Sequence, residues 1–202
     1  ETKTSKLCVN NLQNEKCLEI NLKGVWNVLD VSKNKVLLKY WKSSSNQQLF
    51  VFNIQNKKLV PIAKKGNNRR GFFVKHRVFW TAAGNENCKK DACILSKDLK
   101  KGITEQLNLP ENLLNISDVK ISPKRKYIVI QETKSGIHNL RVFKLKKNKI
   151  VKEFPSFIVG SFVIWNIRWL SDDEVVYTLE NVSMPSSIQS YNLKSKKITN
   201  WT

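Results

Sequence analysis

The chain has 202 residues, of which 41% are hydrophobic. This is enough for one domain with a hydrophobic core, and it excludes a disordered protein. No apolar run reaches the roughly 18 residues that a membrane-spanning helix needs. The 36 Lys and Arg residues outnumber the 16 Asp and Glu residues, so the net charge is +20. Such an excess attracts acidic proteins and polyanions, although a compositional bias towards Asn, Lys and Ile explains it equally well.

Short runs rich in Val, Ile, Leu and aromatic residues recur along the chain, each bounded by a tight polar turn. The clearest set predicts strands at Ile116–Ser122, Tyr127–Thr133, Asn139–Leu145 and Lys149–Phe154. Turns this short predict an antiparallel meander. The same four-strand unit recurs with a period of about 45 residues, which is typical of a propeller or a solenoid.

We therefore predict an all-β protein, a β-propeller built from four-stranded antiparallel blades. The predicted blades are residues 25–66, 67–112, 113–157 and 158–202. Before them, Lys6–Gly24 aligns with Gln48–Gly66, so residues 1–24 are predicted to be the outer two strands of a blade that lacks its inner two. The chain then holds about four and a half blades.

This half blade predicts that the chain is part of a larger propeller, with the missing strands on another polypeptide. The first residues, ETKTSK, contain neither an initiator Met nor the apolar core of a signal peptide. We therefore expect the chain to begin at a cleavage site or at a boundary within a longer protein. The alternative is a self-contained protein of about five blades with an irregular first blade.

Basic residues are sorted by position within the blades. In each blade, the turn between the first and second strands (the inner turn) and the turn between the third and fourth (the outer turn) lie at the same end, because the strands alternate in direction. The basic residues predicted at this end are Lys33, Lys35, Lys57, Lys58, Lys75, Arg77, Lys97, Lys100, Lys101, Lys124, Arg125, Lys126, Lys146, Lys147, Lys149, Lys194, Lys196 and Lys197. We predict one positive face that docks an acidic partner or a polyanion. The alternative is that solvated turns simply accept Lys.

Catalytic motifs are missing from the sequence. His76 and His138 have no Ser or Cys at a recognisable spacing, and there is no nucleophile elbow, P-loop or zinc-protease motif. Asp172-Asp173 is typical of a turn rather than of a metal site. We predict no enzyme activity, no cofactor and no metal. The six tryptophans lie on or beside predicted strands, and we expect most of them in the core between blades.

The four cysteines, Cys8, Cys17, Cys88 and Cys93, form two close pairs, each across a predicted hairpin turn. This predicts two local disulfides and an oxidising compartment, and four buried thiols are the alternative. Three sequons occur, at Asn115, Asn181 and Asn200, and are possible glycosylation sites. We expect a secreted or luminal protein. A cytoplasmic location is the alternative.

Three segments resemble the propeller of prolyl oligopeptidase-superfamily peptidases and the related TolB-type repeats. They are the strand–Ser-Pro–basic turn–strand segment Val119–Gln131, the Ser/Pro loop and tyrosine-bearing strand within Val182–Trp201, and the cysteine-bracketed hairpin Leu7–Trp26. The third resembles the dipeptidyl peptidase IV branch, which implies a disulfide between Cys8 and Cys17. In that superfamily the propeller filters access to an α/β-hydrolase domain. Neither the hydrolase nor its catalytic residues are in this chain, so the resemblance implies architecture and no activity.

Three functional hypotheses follow. The first is a non-catalytic propeller scaffold that recognises a protein, and a second chain that completes the propeller is one candidate for this partner. The second is a binder of nucleic acid or sulfated glycan through the basic face. The third is the accessory propeller of a serine peptidase whose hydrolase domain lies on another chain.

Overall fold

A computed structural model of the chain describes residues 4–5, 7, 9–11, 14–16, 22–64, 66–84, 88, 92–113, 115–146, 149–158 and 161–202. All regular elements in these ranges are β-strands. No helix that could span a membrane occurs in them. Contacts divide the chain into two compact units, residues 1–88 with 95–104 and residues 89–94 with 105–202.

The N-terminal strands form short antiparallel ladders. Strand β1 (Thr4–Ser5) pairs with β4 (Leu22–Lys23), and β2 (Val9–Asn11) pairs with β3 (Asn14–Lys16). No further strand of the described chain pairs with any of these four. That residues 1–24 are the outer two strands of a blade stays a prediction.

The next eight strands form two blades, each paired in chain order. The first contains β5 (Val25–Ser32), β6 (Lys35–Trp41), β7 (Gln47–Asn53) and β8 (Leu59–Ala63). The second contains β9 (Asn67–Val74), β10 (Arg77–Ala83), β11 (Cys93–Asp98) and β12 (Thr104–Gln106). In β6 and β10 nearly every side chain is buried or half-buried, because these strands have a sheet neighbour on both sides and a covered face.

The two blades are joined into one sheet by a parallel bridge between Gln47 and Asn67. The buried Asn68 supports this junction. Its side-chain nitrogen donates to the Gln47 carbonyl (2.7 Å) and the Gly66 carbonyl (3.3 Å), and its side-chain oxygen accepts the indole N–H of Trp80 (2.9 Å). Because a buried polar group without a partner is costly, Asn68 fixes the junction at this position.

The innermost strands β5 and β9 of these two blades lie side by side. The Asp30 carboxylate on β5 accepts the backbone N–H of Phe73 on β9 at 2.7 Å. Gly71 permits the close approach, since a Cβ atom there would lie 2.8 Å from a methyl group of the buried Leu37. One face of the first blade is therefore covered by the second.

The second unit holds two more antiparallel blades, again paired in chain order. One contains β13 (Ile116–Ile121), β14 (Tyr127–Lys134), β15 (Ile137–Lys146) and β16 (Lys149–Glu153). The other contains β17 (Val163–Trp169), β18 (Glu174–Asn181), β19 (Met184–Asn192) and β20 (Ile198–Asn200). Their facing sides share one core, in which the rings of Phe157 and Tyr191 stack with centroids 4.1 Å apart.

A polar network also connects these two blades. The Gln131 side-chain nitrogen donates to the Ile164 carbonyl at 2.9 Å, and the Ile164 N–H donates to Nδ1 of His138 at 2.9 Å. Because Nδ1 accepts this bond, the neutral ring carries its proton on Nε2. His138 therefore has a structural role at the blade interface.

The burial of the tryptophans contradicts the prediction that most of them lie in the core. Trp80 is 2% exposed, but Trp41, Trp165 and Trp201 are exposed and Trp26 and Trp169 are half-buried. The strand pattern places each ring on a sheet face but does not show whether another blade covers that face. Two of the exposed rings, Trp165 and Trp201, belong to the last blade of the second unit.

The Asn68 junction gives a stability prediction. Asn68→Ala removes the partners of the Gln47 carbonyl and the Trp80 indole N–H, and leaves both buried. We expect the free energy of unfolding to fall by about 2 to 6 kcal/mol, from about 1 to 3 kcal/mol for each of the two buried unsatisfied groups. Urea unfolding followed by tryptophan fluorescence measures this loss. Asn56→Ala, which removes an exposed side chain bonded to the Lys58 N–H, is the control and should cost much less. Equal losses of unfolding free energy in Asn68→Ala and Asn56→Ala would contradict the role of Asn68 at the junction.

Candidate interaction surfaces

The inner and outer turns of each blade are held together by a backbone hydrogen bond. An apolar residue at the start of each outer turn donates its N–H to a carbonyl of the inner turn. The donor and acceptor pairs are Ile54 to Asn34 (2.8 Å), Leu99 to His76 (2.9 Å), Leu145 to Lys126 (2.8 Å) and Leu193 to Asp173 (2.7 Å). In every four-stranded blade, therefore, the inner and outer turns form one connected end of the blade, which we call its turn end.

Three of the outer turns share one conformation. Each begins with a polar residue, which is Asn53, Asp98 or Asn192. Its side chain accepts a hydrogen bond from the backbone N–H two residues later. Its own backbone N–H donates to the carbonyl five residues later. The residue four positions after it has a positive φ, 54° at Lys57, 73° at Gly102 and 58° at Lys196. Glycine and asparagine are the residues that tolerate this conformation best, so lysine is unusual here.

Basic residues also take the left-handed conformation in three inner turns. The φ angles are 53° at Lys33, 55° at Lys75 and 59° at Arg125. In the Arg125 turn, the buried Ser122 hydroxyl accepts the N–H groups of Lys126 and Tyr127, both at 3.1 Å. This is the physical basis of the Ser-Pro-basic signature in the sequence.

Asp98 is the centre of the turn end in the second blade. Its carboxylate accepts the N–H groups of Lys100 (2.9 Å) and Lys101 (3.1 Å), and it lies 3.0 Å from Nε2 of His76 and 4.0 Å from the Arg77 guanidinium. The Lys101 hydrogen bond is the main cause that holds the pKa of Asp98 below its ordinary value of 3.8, with help from Lys100, His76 and Arg77, while burial acts in the opposite sense. His76 therefore serves a turn and shows no catalytic arrangement.

The structure places the predicted basic residues at these turn ends, within each unit. The half-buried ones are Lys35, Arg77, Lys97 and Arg125, and the exposed ones are Lys33, Lys57, Lys58, Lys75, Lys100, Lys101, Lys124, Lys126, Lys146, Lys149, Lys194, Lys196 and Lys197. Lys147 lies outside the described residues. A single face across both units stays a prediction.

In the second unit, carboxylates partly neutralise this charge. Asp173 forms an ion pair with Lys194 at 2.6 Å, and the hydrogen bond between the two side chains raises the pKa of Lys194. Asp172 accepts the backbone N–H of Lys124 at 2.6 Å. The Asp pair therefore has turn partners, as the sequence predicts. Within the described ranges, no group of three or more potential metal ligands occurs.

A polar cavity in the second unit is lined by Asn112, Glu132, Arg141 and Glu153, among others. Arg141 forms two bonds with the Glu153 carboxylate, at 2.6 and 2.8 Å, and a third with Asn112 at 3.1 Å. The hydrogen bond that Arg141 donates to Glu153 is the main cause that raises the pKa of Arg141. Because the guanidinium is already bonded within the protein, the cavity offers no strong anion site.

The first blade has one sheet face that is only partly covered. Cross-strand pairing places Val28 and Val31 of β5 on the same face as Val36 and Leu38 of β6. Val36 and Leu38 are buried in a cluster to which Leu7 contributes, whereas Val28 and Val31 are each 51% exposed. We call the area around Val28 and Val31 the first open face.

The last blade of the second unit also has an exposed face. Trp165, Thr178 and Ile188 form one cross-strand row on the face opposite the core that holds Tyr177. Trp165 is 51% exposed, and Trp201, next to this row, is 58% exposed while its indole N–H donates to Ser190 at 3.1 Å. We call this apolar area the second open face.

The remaining predicted sites have mixed outcomes. Cys88 and Cys93 are disulfide-bonded, which confirms one of the two predicted bridges. Cys8 and Cys17 lie outside the described residues. Of the three sequons, Asn115 and Asn200 are exposed, and Asn181 is in a hairpin turn where its side chain accepts the N–H of Ser183 at 2.9 Å. Glycosylation stays a prediction.

Comparison with protein families gives a match over most of the chain. Residues 11–202 match the family described as prolyl oligopeptidase, N-terminal beta-propeller domain. A search of curated proteins finds no significant match. With the antiparallel four-stranded sheets, the family match confirms the predicted β-propeller class.

Solved structures show the same fold at low sequence identity. A prolyl endopeptidase aligns with a TM-score of 0.73 and 13% identity over 95% of this chain, and TolB from Acinetobacter baumannii with a TM-score of 0.65 and 12% identity over 94%. The propeller domain of the trilobed protease from Pyrococcus furiosus, described as having an open velcro topology, aligns with a TM-score of 0.58 and 14% identity over 88% of this chain. The chain spans 28%, 46% and 57% of these proteins, respectively.

Asp98 gives a pH-dependent prediction. Because its pKa is lowered in the folded protein, Asp98 contributes stability that is present above 3.8 and is lost as the pH falls through the lower folded value. Asp98→Asn should therefore have a lower melting temperature than the wild type near neutral pH, and the difference should shrink in acid. Thermal unfolding at a series of pH values measures this. In the reciprocal variant, Asn53→Asp adds a carboxylate at the same turn position and should steepen the loss of stability in acid. Parallel curves for wild type and Asp98→Asn would refute the prediction.

The left-handed lysines give a second prediction. Lys57→Gly relieves a backbone conformation that costs about 1 to 2 kcal/mol for a residue with a Cβ atom, and the added freedom of the unfolded chain offsets about 0.5 to 1 kcal/mol of this gain. We expect a net stabilisation of roughly 0.5 kcal/mol, measured by urea unfolding. Lys58→Gly, in the same turn but without a positive φ, should destabilise the protein. A destabilised Lys57→Gly variant would contradict the inference that the backbone is strained at Lys57.

Proposed function

The chain belongs to the family of prolyl oligopeptidase N-terminal β-propeller domains, and on that premise we propose that it is the non-catalytic propeller part of a larger protein and that it recognises a protein partner. The partner covers each open face with a further β-sheet. Packing of the partner on these faces positions the propeller against the rest of the protein.

The first open face carries this proposal. In each unit, blades pack face to face through apolar side chains, as the core around Tyr177 illustrates. Val28 and Val31 have the residue type and the sheet position of such a core, but each is 51% exposed. Leu7 packs against the buried cluster of this face, whereas the area around Val28 and Val31 stays exposed. We assign this exposed area to the missing inner two strands of the half blade.

The family match supports the nature of the larger protein. We infer an accessory role beside a serine-peptidase hydrolase domain, on the same polypeptide or on another chain, with the propeller limiting access to it. The disulfide between Cys88 and Cys93 supports an oxidising compartment, and hence a secreted or luminal location.

Covalent footprinting of the open faces tests the proposal. A photogenerated carbene should label Val28, Val31 and Trp165 in the isolated 202-residue chain and should label them much less in the endogenous protein, where the partner sheet covers them. Val60, which is 49% exposed on the other face of the first blade, is the internal control and should be labelled equally in both samples. Native mass spectrometry of the endogenous material then identifies the chain that covers the faces and shows whether a Ser-His-Asp hydrolase is present. Equal labelling of Val28 and Val31 in both samples would end the proposal.

A paired substitution measures the contribution of this face. Burial of one Val side chain contributes about 1.5 kcal/mol, which is roughly a tenfold change in affinity. We therefore expect Val28→Asp with Val31→Asp to weaken association of the endogenous partner by about a hundredfold or more. Val60→Asp should leave the association unchanged. Because the face is apolar, this association should depend little on ionic strength.

A further inference from the structure

We propose that the turn end of the first unit binds a sulfated polysaccharide. The site is formed by six exposed lysines from four turns, and we call it the lysine end: Lys33, Lys57, Lys58, Lys75, Lys100 and Lys101. This inference is independent of the open faces and of the peptidase partner.

The two blades that form the lysine end carry little opposing charge. In residues 22–84 and 95–104 the acidic residues are Asp30 and Asp98. Asp30 accepts the Phe73 N–H, and the Asp98 carboxylate is buried among its turn partners. In these two ranges, no carboxylate forms an ion pair with any of the six lysines. The positive charge at this end is therefore directed to solvent.

Hydrogen bonds bring the four turns of the lysine end together. Within the first blade, the Ile54 N–H joins the outer turn to the inner turn at Asn34, and within the second blade the Leu99 N–H does the same at His76. Between the blades, the bond from the Phe73 N–H to Asp30 aligns β5 and β9 just before Lys33 and Lys75. All six lysines therefore project from one end of a connected sheet.

The turns are also held in place before any ligand arrives. The side chains of Asn53 and Asp98 cap their outer turns, and the backbone bonds described above fix each outer turn to its neighbour. A charged surface on an ordered backbone loses less conformational entropy on binding than the same charges on a flexible tail. This distinguishes the lysine end from a general excess of surface Lys.

The composition of the lysine end favours a sulfated sugar over nucleic acid. Single-stranded nucleic acid is bound by basic grooves that also carry aromatic rings for base stacking. The phenylalanines next to these turns, Phe52, Phe73 and Phe79, are all buried, and the half-buried Trp26 lies at the other end of β5. Lysines without an exposed Phe, Tyr or Trp ring beside them can attract sulfate groups by charge but lack the large rings on which bases stack. The disulfide between Cys88 and Cys93 supports the oxidising compartment in which such sugars occur.

Heparin binding measured by calorimetry over a range of sodium chloride concentrations tests the proposal. A triple variant removes three charges from the lysine end: Lys33→Asn, Lys57→Asn and Lys75→Asn. We expect it to fold, because Asn tolerates the left-handed conformation of all three positions. We expect roughly a tenfold or greater loss of heparin affinity, and a decrease in the log–log salt slope of roughly one for each lysine removed. Its melting temperature should equal or exceed that of the wild type.

A charge-matched control separates the site from the net charge. Lys42→Asn, Lys64→Asn, Arg69→Gln removes three exposed charges from the opposite end of the same two blades and should bind heparin within about twofold of the wild type. An equal loss in both triple variants would overturn the proposal, because binding would then follow net charge alone. A single-stranded DNA of matched charge that binds as tightly as heparin would overturn the choice of ligand.

Discussion

The structure depends on the hydrogen bond that joins the inner turn of each blade to its outer turn. It recurs in all four four-stranded blades, from the Ile54–Asn34 pair to the Leu193–Asp173 pair, with donor–acceptor distances of 2.7 to 2.9 Å. The bond satisfies a backbone N–H at a point where the strand ladder has ended, and it places an apolar side chain under the turns. Because both turns are fixed together, the backbone can keep basic residues in the left-handed conformation that they seldom adopt alone.

Much of the fold follows from the sequence because its signals are local. Alternating Val, Ile, Leu and aromatic residues mark the strands, and short polar turns such as Ser135-Gly136 leave an antiparallel meander as the only connection. The repeat then fixes which turns share an end, so the positions of Lys57 and Lys196 are predictable. The half blade at residues 1–24 stays a prediction, made from the alignment of Lys6–Gly24 with Gln48–Gly66.

The rest of the architecture depends on contacts between distant residues. Asn68 resembles any polar residue at the start of a strand, and only the fold shows that it joins Gln47 to Trp80. The tryptophans illustrate the same limit, because a strand pattern shows that Trp165 lies on a sheet face and says nothing about what covers that face. Likewise, Asp98 looks like a surface residue in the sequence, whereas the structure shows a buried carboxylate surrounded by four donors. The turn lysines can be predicted from the sequence, but the burial of Phe52, Phe73 and Phe79 next to them cannot.

At the left-handed turn positions, the surface charge can change during evolution without a loss of folding stability. Lysine and asparagine codons differ only in the third base, and both residues are common in this chain. At a position such as Lys57 or Lys196, where asparagine is at least as well tolerated by the backbone, a single nucleotide change can therefore add or remove a positive charge without a folding penalty. Selection on ligand binding can adjust the turn ends one charge at a time while the blades beneath them stay the same.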